Sequence, residues 1–440
     1  MGFWAAGFRL DRIADNRDVG RGFGQRPFVE MDPMAERKEV VIVGGGPVGL
    51  TLGIALGKAG ISTAVIERDA PLKLRDAAFD GRTSAIAGVS RRVLDGLGLW
   101  QAMAPAAEAI RDIRVADGAS PLFLHYDHRE IGDEPFGHIV ENLVLRQVLL
   151  DSAEKVSALT VKTASQVTHL EQTDHGVCAH LATGERIAAS LAIAADGRRS
   201  PLREAAGIRC LHWEYAQTAI VCVVRHARPH HGVAVEHFLP AGPFAILPMT
   251  EQRSSIVWSE RAALAPGLMA LDPAAFLHAL GTRFGDYLGA LEVISPRWSY
   301  PLSLTLAERY LDDRLVLIGD AAHGIHPIAG QGVNLGFRDV AALAECLVDA
   351  HRLGLDLGTG VHLERYQRLR RFDNFLMAGM TDGLNRLFSN DAKPVRIARD
   401  VGLAAVNRLG PMKRRLMRHA MGMPRGGWEK GPRLIRGEPL

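Results

Sequence analysis

The sequence predicts an α/β protein in which a Rossmann-like domain is interrupted by an α+β domain with an antiparallel sheet and is followed by a C-terminal helical region. Three observations predict this fold. A strand–turn–helix–strand unit occupies residues 39–67, and a second buried strand, followed by a glycine-containing turn and a helix, recurs at residues 314–350. Between them, from residue 218 onward, short apolar runs separated by Pro, Gly and polar residues indicate antiparallel strands.

The individual elements are predicted from the hydrophobic pattern. Residues 39–43 predict a buried strand, 47–59 a helix and 62–67 a second strand, with the short connections typical of a βαβ unit. The other predictions are helices at 85–97, 143–156 and 333–350, and strands at 186–195, 218–227, 233–239, 244–249, 254–259 and 314–318.

The composition is that of an ordinary globular protein and argues against several classes. The 440 residues are 47% hydrophobic and 23% charged, and the net charge of +3 is too small to indicate a nucleic-acid partner. The first 30 residues contain five Arg and four acidic residues without a long apolar run, so we expect no secretory signal there. The cysteine spacing fits neither a zinc site nor a disulfide framework; the cysteines are Cys178, Cys210, Cys222 and Cys346.

A glycine-rich turn follows the first strand and predicts a dinucleotide site. In the pattern GxGxxG, Gly44 allows the tight turn, Gly46 lets the backbone approach a pyrophosphate, and Gly49 lets the helix pack closely on the strand. The helix N-terminus adds free N–H groups and a positive dipole. The next strand ends at Glu67, 23 residues after Gly44, where a carboxylate can accept hydrogen bonds from ribose hydroxyls. The motif alone does not separate FAD from NAD, and the alternative is a glycine-rich turn without a nucleotide.

A second constellation lies near residue 320. Residues 314–318 predict a strand that ends in Gly319 and Asp320, from which a carboxylate can bind a ribityl hydroxyl. A Gly–Gln–Gly segment at 330–332 then opens a helix. The N–H groups at the start of such a helix can stabilise negative charge on a reduced flavin.

With these residues the chain resembles the FAD-dependent aromatic hydroxylases of the para-hydroxybenzoate hydroxylase type. The resemblance rests on three separated motifs: the glycine-rich turn with Glu67, the Asp–Gly pair at Asp196, and the Gly–Asp pair at Asp320 with the following Pro–x–x–Gly–Gln–Gly–x–Asn. Further segments resemble one branch, the 2-polyprenylphenol hydroxylases of ubiquinone biosynthesis; these segments are residues 80–86, 139–142, 242–248 and 300–302.

The resemblance implies FAD as the cofactor and a set of residues around it. The glycine turn and Glu67 would hold the ADP half, Arg82 and Arg146 would flank the cofactor, and Asp320 would bind its ribityl or phosphate region. Asp196 would contact the cofactor or cap the turn that follows it. The predicted cofactor-binding residues are Gly44, Gly46, Pro47, Val48, Gly49, Glu67, Arg68, Arg82, Arg146, Asp196, Asp320 and, bordering the isoalloxazine, Pro327, Gly330, Gln331, Gly332, Val333 and Asn334.

The resemblance also implies the reaction. Hydride from NADPH or NADH would reduce the flavin, O2 would give a flavin C4a-hydroperoxide, and its distal oxygen would hydroxylate the aromatic ring of a polyprenyl phenol in ubiquinone biosynthesis. No catalytic residue is assigned: His323, His326 and His237 are candidates for a base, and each has an alternative structural role.

Several alternatives remain open at this point. The chain could hydroxylate a soluble aromatic compound, reduce a prenyl chain, or act as a flavin-bound scaffold of a lipid-biosynthesis complex without turnover of its own. A halogenase is disfavoured because the sequence contains no WxWxIP segment.

A polyprenyl substrate needs an apolar channel, and the strands at 218–260 could supply one wall of it. The alternative is that these side chains are ordinary domain core. The apolar residues considered for the wall are Val233, Val235, Phe238, Phe244, Ile246 and Leu247.

The domain organisation follows from these elements. We expect a disordered leader at 1–37 and C-terminal helices at 353–440. The expected FAD-binding domain comprises residues 38–110, 140–210 and 305–352, and the expected substrate domain comprises residues 111–139 and 211–304.

The tail of the chain is basic. From Arg408 it holds nine Lys or Arg and two Glu, which makes it a candidate for contact with anionic lipid or with a partner enzyme of a ubiquinone-biosynthesis complex. The expected location is the cytoplasm, with the inner face of the membrane as a candidate docking surface, and neither a metal nor nucleic acid is expected.

Overall fold

The centre of the Rossmann-like part is a mostly parallel sheet. The computed structural model describes residues 35–70, 81–118, 123–389, 399, 402, 406–423 and 430–440. Neighbouring strands of this sheet pair in parallel, except for an antiparallel pair at one edge. In spatial order its strands are Leu311–Asp312, Leu315–Leu317, Leu191–Ala194, Val40–Val43, Thr63–Ile66 and Leu159–Lys162.

The central strands are buried because helices cover the sheet. Their sequences are continuous apolar runs, as expected for parallel strands that face a helix on both sides. Helix Pro47–Lys58 packs closely on the sheet, since a Cβ atom at Gly53 would lie 2.8 Å from Cγ2 of Val65. Helices Asn142–Ala153 and Gln331–Arg352 pack against Pro47–Lys58 and complete this core.

A large, mostly antiparallel sheet forms the second layer. One face packs on helix Pro273–Phe284, where Trp258 and Phe276 are fully buried. The opposite face is directed into a cavity. In spatial order its strands are His323–Gly324, Trp298–Ala307, Cys210–His226, Arg253–Arg261, Gly242–Met249, Val233–Leu239, Asp112–Asp117 and Phe123–Asp127, with Leu291–Val293 paired to Cys210–His226.

Smaller elements connect these layers. A sheet of Glu36–Arg37, Arg186–Ala189, Gly176–Leu181 and Val167–Thr173 flanks the parallel sheet, and Thr83–Ala87, Gly137–Glu141 and Glu108–Ile110 form another. The remaining helices and 3-10 turns are Gly88–Gly96, Trp100–Met103, Ala104–Ala106, His128–Glu130, Pro201–Ala205, Ala265–Ala270, Gly319–Ala321, Ile328–Gly330, Val361–Phe388, Gly410–Ala420 and Arg433–Arg436.

Three sequence predictions need correction. The helix predicted at 85–97 begins at Gly88, because residues Thr83–Ala87 pair with Gly137–Glu141 as a strand. The strand predicted at 186–195 is interrupted at Ser190, and its two halves belong to different sheets. Of the leader predicted at 1–37, residues 1–34 lie outside the described residues. Glu36–Arg37 pairs in parallel with Arg186–Ala189, so ordered structure begins before residue 38, where the FAD-binding domain was predicted to start.

The C-terminal part is helical, as expected. Helix Val361–Phe388 packs against Gln331–Arg352, and Gly410–Ala420 and Arg433–Arg436 follow it in the chain. None of the helices in the described part of the chain is both long enough and apolar enough to cross a membrane.

Candidate cofactor and substrate site

The ends of three neighbouring parallel strands bring the predicted cofactor motifs together. Leu315–Leu317, Leu191–Ala194 and Val40–Val43 lie side by side, so the turns that follow them emerge at one edge of the sheet. These turns carry Asp320, Asp196 and the glycine-rich motif. In open α/β sheets, ligands bind at this edge.

The glycine-rich turn has the shape that a pyrophosphate requires. Gly44 has a φ of +111°, and a Cβ atom there would lie 2.2 Å from the carbonyl oxygen of Ala195. A Cβ atom at Gly49 would lie 2.0 Å from the carbonyl oxygen of Gly44, so neither position admits a side chain. Gly46 is different, because its Cβ position has no atom within 4 Å. Helix Pro47–Lys58 begins next to this space without a side-chain cap, which leaves its first N–H groups available to a phosphate.

Glu67 lies directly against the glycine turn. Its Oε2 accepts a hydrogen bond from the Gly45 N–H at 2.7 Å, and its Oε1 accepts one from the Asp69 N–H at 2.8 Å. A carboxylate has about four acceptor positions, so Glu67 can also accept from a ribose hydroxyl. Arg68 follows it at the protein surface.

The second motif is docked on the first through Val48. A Cβ atom at Gly336 would lie 2.4 Å from Cγ2 of Val48, and one at Gly319 would lie 3.3 Å from Cγ1. Helix Gln331–Arg352 therefore approaches the glycine turn more closely than it could with a larger residue at Gly336. Asp320 stands beside this contact with its side chain 46% exposed, which leaves the carboxylate accessible to a ligand.

Asp196 supports the helix that follows it. Its Oδ2 accepts a hydrogen bond from the Leu202 N–H at 3.3 Å, which favours the capping role. Burial raises the pKa of Asp196, and hydrogen bonds from Ser200 and Leu202 oppose that rise. Its Oδ1 is buried and has no hydrogen-bond partner within the described chain, so one oxygen remains for a cofactor contact.

Asn334 joins the second motif to the strand at Thr83–Ala87. Its Oδ1 accepts from the Ala87 N–H at 2.9 Å and from the Ser90 hydroxyl at 2.6 Å. Its Nδ2 donates to the carbonyl oxygens of Ala85 and Gly330, both at 2.8 Å. Because the side chain uses its amide group fully within the protein, Asn334 positions the loop that we expect to border the isoalloxazine.

Replacing Asn334 should therefore destabilise the fold. In Asn334→Ala we expect a loss of about 2 kcal/mol or more in the free energy of unfolding, since each buried partner left unpaired costs roughly 1–3 kcal/mol. Urea titration measures it, and Asn407→Ala, at an exposed position, is the control expected within about 0.5 kcal/mol of the unmodified protein. An unchanged stability combined with lost FAD binding would contradict this positioning role.

A buried network of charged side chains holds the loop that begins at Gly319, after the strand Leu315–Leu317. Asp339, which is fully buried, accepts hydrogen bonds from the Gly319 N–H at 3.0 Å and from His323 Nε2 at 2.5 Å. Its other oxygen accepts from Arg370 Nε at 2.7 Å. Burial alone would raise the pKa of Asp339, but the charges of His323 and Arg370, and the hydrogen bonds they donate, hold it well below its usual range. His323 is therefore part of the loop's support.

The other two histidine candidates differ in position. His326 lines the cavity, and its Nδ1 accepts from the Ile328 N–H at 3.3 Å. Burial lowers the pKa of His326 to about 4, so the ring is neutral near pH 7. His237 lies on Val233–Leu239 between two cavity-lining residues, and strand alternation directs it to the opposite face of the sheet.

The remaining predicted residues divide between the cavity and its surroundings. Arg82 lines the cavity from an exposed position, and Arg146 is half-buried on the helix that Asn142 begins. Gln331 donates to the Ala420 carbonyl oxygen at 3.4 Å and so joins the motif to the C-terminal tail. The predicted residues that line the cavity are Arg82, Pro327, Gly330, Gln331 and Asn334, whereas Gly332 and Val333 are not part of its lining.

The cavity has a volume of about 1130 Å³, above the roughly 300–1,000 Å³ of sites for drug-sized ligands. One end is bordered by the loop from His326 to Asn334. The large sheet forms one wall, and helix Val361–Phe388 and the tail helix Gly410–Ala420 form another. Most of the lining is aliphatic or aromatic, which suits a long apolar ligand.

The predicted channel wall is correct for about half of its residues. Phe238 and Leu247 line the cavity. Val233, Phe244 and Ile246 pack on the opposite face of the sheet, toward helix Pro273–Phe284, and Val235 packs with them although it also borders the cavity. The alternation of side chains along each strand separates the two sets, and the sequence alone does not show which face each set occupies.

Comparison with known proteins agrees with this site. Residues 37–359 match the FAD-binding domain family. The chain is 53% identical to a ubiquinone hydroxylase of Rhodospirillum rubrum, over 91% of this chain and 93% of that protein. It is 35% identical to the 3-demethoxyubiquinol 3-hydroxylase of Escherichia coli, over 88% of this chain and 98% of that protein. The chain belongs to the FAD-dependent hydroxylases of ubiquinone biosynthesis.

The fold agrees with that of a solved monooxygenase. A p-nitrophenol 4-monooxygenase from Pseudomonas putida superposes with a TM-score of 0.74, at 21% identity, over 88% of this chain and 98% of that one. The predicted family, fold class, enzyme class and FAD cofactor are thus confirmed, with NAD(P)H and O2 as the co-substrates of this class. The alternative of a scaffold without turnover is set aside. The individual cofactor contacts and the domain boundaries stay predictions.

Two features of the site were not predicted from the sequence. Asp339 and Arg370 lie 31 residues apart on different helices, and no motif marks them. Glu236 is directed into the cavity, and its signal in the sequence is weak: a carboxylate inside the apolar run of Val233–Leu239.

Proposed function

We propose that this enzyme hydroxylates the aromatic ring of a polyprenyl phenol, with FAD as cofactor, NADPH or NADH as reductant and O2 as oxidant. The observation that carries the proposal is the large apolar cavity, which extends from the loop predicted to border the flavin to the helices of the C-terminal part. When bound, FAD supplies the redox chemistry of oxygen activation. The chain's own residues must then position the phenol ring and exclude water.

The residues present fit FAD. The open space at Gly46, beside an uncapped helix N-terminus, accommodates a pyrophosphate. Glu67 and Asp320 each keep acceptor capacity for hydroxyl groups at the same edge of the sheet. Helix Gln331–Arg352 also begins without a side-chain cap, at the cavity end of the site. Its first N–H groups are placed to stabilise negative charge there.

Oxygen incorporation tests the proposed reaction. The purified FAD-loaded enzyme is incubated with NADPH, ¹⁸O2 and 2-geranylphenol, a short polyprenyl phenol, and the products are analysed by mass spectrometry. We expect one ¹⁸O atom in a hydroxylated ring, with NADPH consumption dependent on the phenol. NADPH oxidation that yields no labelled phenol, or a saturated prenyl chain without ¹⁸O, would contradict it.

The apolar substrate also suggests where the enzyme finds it. An exposed apolar stripe follows helix Val361–Phe388, and its members Leu384 and Leu387 also line the cavity. Residues 406–423 contain five Lys or Arg and no acidic residue, and other residues of this segment, among them Leu416 and Met417, line the same cavity. We propose that this surface lies on an anionic bilayer, from which the substrate enters the cavity. The stripe consists of Leu369, Phe372, Phe375, Leu384 and Leu387.

Substitution of the stripe should weaken membrane binding. Phe372 and Phe375 are 66% and 62% exposed, and the double change Phe372→Ser, Phe375→Ser should remove about 2 kcal/mol of interfacial binding, about thirtyfold in partition. Flotation with vesicles of phosphatidylglycerol and phosphatidylcholine measures it. Leu264→Ser is the control. Leu264 is also an exposed apolar residue, but it lies next to the core that the large sheet forms with helix Pro273–Phe284, away from the cavity. Equal flotation of all three proteins would contradict a docking role for the stripe.

A further inference from the structure

A carboxylate stands in the middle of the apolar wall of the cavity. Strand pairing places Glu236 beside Val115 on one neighbouring strand and Ala245 on the other. The same row includes three further residues on neighbouring strands that also line the cavity: Leu124, Val257 and Val221. Among the described residues that line the cavity, Glu236 is the sole carboxylate.

Nothing within the described chain neutralises this carboxylate. No hydrogen bond or ion pair joins the half-buried Glu236 to any described residue, although carboxylates partly withdrawn from water in an apolar wall are usually paired. The other charged or titratable side chains of the cavity include Arg399, whose Nε donates a hydrogen bond to Oδ2 of Asp117 at 2.8 Å. The rest of this group comprises Arg82, Tyr126, Tyr300, His326 and His419.

Burial has a direct effect on the acidity of this group. It raises the pKa of Glu236 to about 7. A carboxyl group with such a value changes its charge near neutral pH and can both accept and release a proton there. Unpaired ionisable groups with shifted pKa values in a cleft are frequent at functional sites. A polar ligand group is therefore the expected partner.

We propose that Glu236 binds the phenol hydroxyl of the substrate and accepts its proton during ring hydroxylation. This inference rests on the proposed function, because a phenol is the polar group that such a substrate would bring into the cavity. The three histidine candidates for a base are less well placed than Glu236 for this contact. His323 is bound to Asp339, His237 faces away, and His326 is neutral with Nδ1 engaged by the Ile328 N–H.

The proton transfer completes the chemistry of the ring. As a ring carbon forms its bond to the oxygen atom donated in the FAD-dependent reaction, the electrons of the phenolic O–H bond form the carbonyl of a dienone. The released proton passes to a carboxylate oxygen of Glu236. Loss of the hydrogen at the attacked ring carbon, as a proton, then restores the aromatic ring, and Glu236 returns its proton to the oxygen of the former carbonyl to give the phenol. One oxygen atom of O2 enters the ring, and NADPH supplies the two electrons that reduce the other to water.

Substitution of Glu236 provides the main test. With FAD-loaded enzyme and 2-geranylphenol, we expect Glu236→Gln to lower the rate of ring hydroxylation about 100-fold and to divert consumed NADPH to H2O2. Product formation by the unmodified enzyme should rise as the pH increases through about 7, and this rise should be absent in Glu236→Gln and retained, at a lower rate, in Glu236→Asp. His237→Gln, the neighbour on the opposite face, should behave as the unmodified enzyme.

A binding measurement separates this role from a structural one. The methyl ether 2-geranylanisole has the same shape but no phenolic proton, and its dissociation constant is measured from the change in flavin absorbance. The unmodified enzyme should prefer the phenol over the ether, increasingly as the pH rises through 7, and Glu236→Gln should lose the preference. If that variant does not fold, the pH dependence of the preference in the unmodified enzyme decides.

Two results would overturn the inference. The first is a Glu236→Gln enzyme that hydroxylates within threefold of the normal rate with an unchanged pH profile. The second is equal binding of phenol and ether at every pH. Both leave the proposed function intact if the unmodified enzyme hydroxylates 2-geranylphenol. Failure of the unmodified enzyme to do so would instead contradict the proposed function, and the inference with it.

Discussion

Gly49→Ala is expected to abolish FAD binding and, with it, activity. The new Cβ atom would lie 2.0 Å from the Gly44 carbonyl oxygen, and a backbone atom cannot move aside as a flexible side chain can. Helix Pro47–Lys58 must therefore shift away from the strand and carry its N-terminal N–H groups away from the phosphates. We expect more than a hundredfold loss of FAD affinity, measured by fluorescence titration of the apoprotein.

Gly46→Ala is the matched control for that change. Its φ of −69° is available to any residue, and its Cβ position has no atom within 4 Å, so the fold should keep its stability within about 0.5 kcal/mol. Its methyl group would nevertheless occupy the space where the pyrophosphate approaches, so FAD affinity should fall about tenfold or more. Unchanged FAD affinity in Gly46→Ala would show that the phosphates do not lie at this turn.

The second large effect is expected at Asp339. Asp339→Asn keeps the shape but removes the charge that Arg370 and His323 share, and breaking a buried ion pair costs about 3–5 kcal/mol. The loop after Gly319 should lose its anchor, so FAD should dissociate more readily. The exposed pair of Glu364 and Arg368 is the comparison, where Glu364→Gln should cost about 0.5 kcal/mol or less. Similar losses in the two variants by urea unfolding would contradict the network's importance.

The pH dependence of stability gives an independent check on Asp339. Its pKa in the folded protein is lowered, so its contribution is fully present above about pH 4, the value of the unfolded chain, and is lost as the pH falls further. The unmodified protein should therefore lose stability on acidification below pH 4 more steeply than Asp339→Asn. Parallel stability curves for the two proteins over pH 3–6 would show that Asp339 is not held ionised.

The cofactor motifs could be predicted from the sequence because their function depends on local geometry. A strand, a tight turn and a helix N-terminus follow one another within about ten residues, and the glycines mark positions where a side chain would collide. The strands around Gly44 and Asp320 lie where predicted, and the parallel sheet brings their ends to one edge. For these motifs the local sequence pattern is sufficient to predict the structure.

The predictions that failed depend on partners distant in the chain. Residues 85–87 have helical spacing, but pairing with Gly137–Glu141 makes them part of a strand, because tertiary contacts override local preference. Ser190 ends a strand because the residues on its two sides pair in different sheets. The contact of Arg370 with Asp339 requires two helices to pack, and no spacing in the sequence encodes it.

Glu236 illustrates the same limit within the site. Its position in the cavity follows from the register of Val233–Leu239 against Asp112–Asp117 and Gly242–Met249. A shift of one residue would have placed it in the core that packs on Pro273–Phe284, and His237 in the cavity. The composition of the strand is compatible with both arrangements, so the choice of a candidate proton acceptor requires the structure.

Genetic complementation tests the central claim, ring hydroxylation of a polyprenyl phenol, most directly. The gene is expressed in bacterial strains that each lack one ubiquinone ring hydroxylase, and quinones and their intermediates are measured by mass spectrometry. We expect ubiquinone to be restored in at least one strain, and the strain restored identifies the ring carbon. Expression of a folded, FAD-loaded protein that restores ubiquinone in none of them would contradict the proposed function.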